Sequence, residues 1–187
     1  MGSLACVYPA SDVGYRAAGI ASSYAVRLDK TSTTISISPK TGDLSISYTL
    51  EFWIKLDPSS VTAVRQIYHL EDFPPRTGTR GELYDNTEFR AETWNLGQFQ
   101  SYTLASGPFT GAVWHHVVHG FDAATQLDFT YVDGTLCQGG EQYPDSGPRP
   151  VVTSSLAFVG FTGVLDELAI YDKVLTPQRV LAHYSAR

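Results

Sequence analysis

FVGFTGVLDELAIYDKVLTPQRVLAHYSAR, Phe158 to Arg187, decides how the rest of the chain is read. It divides into a short strand, a turn, a second strand and a closing helix. Gly160 and Gly163 punctuate the first part, glycine being the residue that accepts tight backbone geometry. Val164 to Tyr171 is an apolar run broken only by Asp166 and Glu167, which point to opposite faces of a strand. Thr176 is a good helix cap, and Pro177 suits the first helical position, where its missing N–H costs nothing. Val180, Leu181 and Tyr184 give the helix one apolar stripe, so it is built to dock on another surface.

Working outward, Ser45 to Leu56 (SISYTLEFWIKL) is the best strand in the chain. Tyr48, Leu50, Phe52, Ile54 and Leu56 fall on one face, with Thr49, Glu51, Trp53 and Lys55 on the other. Shorter strands are expected at Ala5 to Pro9, Tyr24 to Leu28, Thr34 to Ser38, Ala63 to Glu71 and Phe99 to Ala105. Gly81 to Asp85 and Glu88 to Trp94 read as two hairpin arms around Asn86, with Thr77 to Thr79 in the preceding loop. Leu127 to Val132 runs into Asp133-Gly134, a strong hairpin signal, after the strand that holds Trp114, His115 and His116. The residues between Pro9 and Tyr24 read as a loop, and Gly139 to Pro150 as irregular. Helical periodicity is nearly absent before the last stretch. A dozen or so short strands in one domain, residues 1–187, imply an all-β, two-sheet antiparallel sandwich with a short C-terminal helix.

Composition narrows the function classes. Hydrophobic residues are 43% and charged residues 17% of the 187, the balance of a folded globule. A formal charge of −6 gives no basic footprint for nucleic acid or an anionic membrane. No apolar run approaches the ~20 residues that span a bilayer. MGSLACVYPASD has neither the basic start nor the apolar core of a secretory signal. Residues 1–4 read as a start methionine with added residues, joined to a module cut from a longer protein. Cys6 and Cys137 are too few for a disulfide scaffold, and whether they pair stays open.

Three segments in order resemble a laminin G-like domain of the concanavalin A-like lectin/glucanase jelly-roll class. They are YAVRLD…ISISPKTGDLSISYTLEFWIKLDP, then WHHVVHGFDAATQLDFTYVDG, then the C-terminal Leu-Asp-Glu-Leu-x-Ile-Tyr stretch, together about residues 24–56 and 114–187. The resemblance implies a jelly roll, and the fold hosts lectins, protein-binding modules and glycanases alike. It also implies a structural calcium ion tying the last strand to the N-terminal segment, with Asp166 as first ligand and Asp12 or Asp29 as second. Calcium takes 6–8 oxygens. Family members often open with a longer calcium loop, and only SDVGYRAAGIASS precedes Tyr24 here. The alternative for Asp166 is hydrogen bonding to backbone or an arginine with no ion.

The other candidates come from the residues themselves. His115 and His119 share a strand face and His116 points the other way, which is not a metal-ligand pattern but suits a packed sandwich. Retaining glycosidases need two carboxyls ~5 Å apart, and Glu82, Asp85 and Glu88 have the wrong spacing to share a face in that way. No catalytic residue is therefore assigned. Trp94 follows the polar alternation of Arg90 and Glu92, so it reads as an outward aromatic, with Tyr84, Tyr102 and Trp53 able to join it. Aromatic rings beside Arg and Glu are what sugar binding uses: the ring covers the apolar sugar face and the polar groups fix the hydroxyls. The expectation is a non-catalytic recognition module for a glycan or cell-surface glycoprotein, extracellular and part of a larger multidomain chain. The alternative is a structural or protein–protein module with no sugar site, and glycan hydrolysis comes a distant third.

Overall fold

A computed structural model describes residues 5–7, 13–17, 25–29, 31, 34–38, 47–58, 65–72, 77–84, 88–95, 98–105, 111–142 and 156–186. The first strands are β1 (Ala5–Val7), β2 (Val13–Ala17), β3 (Ala25–Leu28), β4 (Ile35–Ser38) and β5 (Tyr48–Leu56). Next come β6 (Arg65–Asp72), β7 (Thr77–Tyr84), β8 (Glu88–Asn95), β9 (Gln98–Leu104) and β10 (Trp114–Asp122). The last are β11 (Leu127–Val132), β12 (Thr135–Leu136), β13 (Gln138–Gln142), β14 (Leu156–Phe158) and β15 (Gly163–Tyr171), followed by helix α1 (Pro177–Ser185). One sheet has the order β1-β4-β14-β6-β7-β8-β9-β13 and the other β12-β11-β10-β5-β15-β3-β2. Every pairing is antiparallel. The chain is thus an all-β jelly-roll sandwich closed by one helix.

The alternation of β5 holds along its length. Leu50, Phe52, Ile54 and Leu56 enter the core between the sheets, and Thr49, Glu51 and Trp53 lie on the opposite face. Phe52 meets Phe158 and Tyr68 of the other sheet edge-on, at ring-centroid distances of 5.1 and 5.6 Å, the geometry that aromatic quadrupoles favour. His115 and His119 share a face as the strand period requires. His119 bridges the sheets, 2.9 Å from both Thr79 Oγ1 of β7 and Thr130 Oγ1 of β11. Asp133 and Gly134 have φ of 52° and 74°, the two positive values of a type I′ hairpin turn. The Asp133 carboxylate also accepts the His116 N–H and contacts His115 Nδ1, at 2.9 and 2.8 Å.

Several sequence expectations need correction. Val13–Ala17 is a strand, not a loop, and pairs with β3. Thr77–Thr79 begins β7 instead of preceding it, and Gly139–Gln142 lies in β13, an edge strand; 143–150 lie outside the described residues. Backbone pairing with a neighbour holds these segments in place, whatever their weak strand propensity. Cys137 is a free, buried thiol, pushed up to about 12 by its burial. It therefore forms no bridge to Cys6, whose strand β1 and the β13 that follows Cys137 are opposite edges of the eight-stranded sheet.

The helix seats on the outer face of the seven-stranded sheet. The Thr176 side chain accepts the Arg179 N–H at 3.2 Å, and Pro177 occupies the first turn. Val180 is fully buried with Val118, Tyr131 and Leu175, and Tyr184 stacks on Trp53 at 6.0 Å and 14°. Leu181 stays 53% exposed, beside Gly134 at the hairpin turn. Under the helix lies Glu51, which is 5% exposed. Its carboxylate accepts from His116 Nε2 at 2.7 Å, His183 Nδ1 at 2.8 Å and Tyr171 OH at 2.8 Å. Burial alone would raise this carboxyl, and those three donors more than offset it, so it ionises below its ordinary value of 4.5.

A depressed folded pKa stabilises above the ordinary value and is lost as pH falls through the folded one. Glu51→Gln should therefore lower stability in a urea melt at pH 7 by about 2–4 kcal/mol, since it strands donors around a buried site. The penalty should shrink as the pH drops below 4.5. An unchanged melt at pH 7 would remove Glu51 as the helix anchor.

Candidate functional site

The outer face of the eight-stranded sheet carries the candidate site. β7 and β8 pair so that Arg80 lies opposite Glu92 and Glu82 opposite Arg90, and β9 sets Tyr102 opposite Glu92. Inward residues of the same strands, Leu83, Phe89 and Ala91, are in the core. Strand alternation therefore sends Arg80, Glu82, Arg90, Glu92, Trp94 and Tyr102 outward. Gly78 is the cross-strand partner of Trp94, so no side chain on β7 stands directly opposite the indole.

Glu92 is the hub. It is 3% exposed and accepts at both oxygens. Oε1 takes Arg90 Nη2 at 2.6 Å; Oε2 takes Arg80 Nε and Nη2 at 2.9 and 2.7 Å and the Trp94 indole N–H at 3.1 Å. The Arg80 guanidinium lies 5.7 Å from the Trp94 ring centroid and that of Arg90 4.7 Å from Tyr102. Each is within the range of a cation–π contact. Two half-buried rings are thus held beside two guanidinium groups whose directions are set from below. Such a platform is preorganised, which reduces the entropy lost on binding.

Glu82 is the second carboxyl of the face, 4% exposed, with Arg80 Nη2 3.4 Å from its Oε2. Burial and then the charge of Glu92 raise its pKa, while Arg80 and Arg90 pull the other way; it also hydrogen-bonds Glu92. The pair belongs to the same outer face as the two arginines.

Of the residues expected to touch ligand, Trp94, Tyr102 and Arg90 come together here. Tyr84 closes β7 opposite Glu88, and its side chain lies outside the described residues. Trp53 does not join them: it is 3% exposed on the other sheet, beneath the helix. Arg80, the place of Glu82 beside the two arginines and the hub role of Glu92 escaped the sequence reading, which weighed Glu82 only as a catalytic carboxyl. A signal for them was present, because pairing the hairpin symmetrically about Asn86 puts Arg80 on Glu92 and Arg90 on Glu82.

The expected Asp166–Asp29 metal pair is not formed. Leu28 pairs with Gly163 and Val26 with Leu165, so Asp29 and Asp166 stand four positions apart, roughly 13 Å along the ladder. Asp29 is held by Arg27 Nε at 2.8 Å, and Arg27 also grips Asp57 at 2.6 Å. Asp166, 8% exposed, accepts the Glu167 N–H at 2.9 Å. Asp12 lies outside the described residues, and among those described no group of three or more His, Cys, Asp or Glu could hold a metal ion.

Two measurements follow. A calorimetric melt should show the same transition in calcium as in chelator, because an ion bound only to the folded state must raise it; a rise with calcium would restore Asp166 as a ligand. A raised carboxyl stabilises below its ordinary value of 4.5 and loses that contribution as pH climbs through the folded value. Glu82→Gln should thus stabilise the protein at pH 7 relative to the parent and leave it no more stable at pH 4, in paired urea melts.

The profile of the laminin G 3 family, described as the Concanavalin A-like lectin/glucanases superfamily, matches residues 29–181, and the chain belongs to that superfamily. No curated protein matches it in sequence. Among solved structures it is similar to the botulinum neurotoxin serotype D binding domain, at 12% identity and TM-score 0.77, over 98% of this chain and 46% of that one. It is also similar to the binding domain of Paraclostridial Mosquitocidal Protein 1, at 16% identity and TM-score 0.75, over 97% of this chain and 47% of that one. Trypanosoma rangeli sialidase in complex with the inhibitor DANA aligns at 12% identity and TM-score 0.70, over 97% of this chain and 32% of the enzyme. The chain spans less than half the length of each of these structures.

Proposed function

We propose that this superfamily member is a non-catalytic recognition module that binds a glycan or glycoprotein on the outer face of its eight-stranded sheet. The observation that carries the reading is the Glu92 hub, which orients Arg80, Arg90 and the Trp94 indole at once. Trp94 and Tyr102 cover the apolar face of a sugar ring, and the polar groups held beside them meet its hydroxyls. The first two structures named above are called binding domains, and both are longer than this chain. That agrees with a module working outside the cell within a larger protein. Catalysis has no place in the proposal, because the two carboxyls of the face are spent on each other and on the arginines.

A glycan array, followed by calorimetric titration of the best hit, tests it. Trp94→Ala should weaken binding at least about tenfold, as expected for a central aromatic anchor. Trp94→Phe, which keeps a ring but loses the N–H to Glu92, should weaken it less. An array with no sugar bound would sink the glycan reading and favour a protein–protein module.

A further inference from the structure

On the opposite sheet, between α1 and β15, lies an open cleft of about 250 Å³ lined by Glu51, Trp53, Glu167, Tyr171, His183 and Ala186. Its lining holds two carboxyl side chains, Glu51 and Glu167, and one imidazole, His183, which is directed at Glu51. Glu51 at the floor keeps its charge because three donors hold it. Glu167 at the rim is exposed and is delivered by a bulge in β15 between Asp166 and Ala169, with φ at 47°. Ala186 is the C-cap of α1, so the cleft meets the helix end at which unpaired carbonyls concentrate negative charge. Tyr171, whose phenol is pushed up to about 12 by burial and by its bond to Glu51, stays neutral and presents a ring. Trp53 closes the wall. Among the described residues no lysine or arginine lines the cleft; Arg179, on the same helix, is felt at Tyr171.

Two carboxylates, a helix C-terminus and an aromatic wall around a small open space all favour the same guest. We propose that this cleft binds a small organic ammonium ion, with Glu51 and Glu167 supplying the charge and Tyr171 and Trp53 the apolar contact. Cations gain from the faces of aromatic rings as well as from carboxylates. The volume is below the ~300–1,000 Å³ of drug-sized ligand pockets, so the guest is an amine of a few heavy atoms and not an oligosaccharide. The cleft and the sugar platform lie on different sheets, and the two readings stand or fall separately.

Tetramethylammonium and methylammonium are the probes, with 3,3-dimethylbutan-1-ol as a neutral control, titrated into the whole chain and followed by amide NMR shifts. The expected result is saturable binding of an ammonium probe with Kd on the order of 1 mM, shifts centred on Tyr171 and His183, and no saturation by the alcohol. Glu167→Gln, a change at an exposed position, should raise that Kd about tenfold while leaving the melting curve cooperative. Tyr171→Ala, which removes the ring, should abolish saturation. The proposal is overturned if neither ammonium ion saturates, if the alcohol binds equally well, or if Glu167→Gln leaves the Kd unchanged.

Discussion

The carboxylate of Glu51 is the point on which the assembly of this chain depends. It joins β5 to His116, Tyr171 and His183, which lie 65, 120 and 132 residues away in sequence. A carboxylate taken out of water is strongly unfavourable unless its oxygens are satisfied, and here the satisfying groups come from β10, β15 and α1. The helix can therefore dock only where His183 reaches Glu51 and Tyr184 reaches Trp53. Apolar burial of Val180 supplies attraction without direction; the hydrogen bonds supply the register.

The two sheets treat their buried acids in opposite ways. Glu51 is surrounded by donors and is held below the ordinary carboxylate value, whereas Glu82 is buried beside Glu92 and is held above it. Acid weakens the helix side, and base strains the hairpin side. Both faces present fixed aromatic and charged groups, but one is roofed by a helix and the other shows half-buried rings. A single fold thereby carries two surfaces of different chemistry.

Much of this was legible in the residues, and the exceptions share a cause. The alternation of β5, the Asp133-Gly134 turn and the Thr176 cap are local signals, each contained within a few residues, and each appears in the structure as read. Val13–Ala17 and Gln138–Gln142 have no clean alternation; they are strands because a neighbour's backbone is there to pair with. Trp53 and Trp94 look alike in sequence, both following outward polar residues. The docking of α1, a contact between distant segments, makes one a buried floor, while the other stays half-buried on the opposite sheet. Asp29 and Asp166 were separated by register, which is decided by how β3 slides against β15 and is not written in either strand alone.

The bulge in β15 has a further consequence. Leu165 faces the core, Asp166 pairs with Trp53 on the outside, and Leu168 and Ile170 face the core again. Counting inward and outward positions on either side, Glu167 is one residue more than the ladder needs. Remove it and the alternation of Leu165, Asp166, Leu168 and Ala169 closes without turning any side chain over. The position is therefore a free insertion in the arithmetic of the strand. It can be gained, lost or exchanged without renegotiating the core, and a lineage can revise the rim of the cleft there without touching the fold.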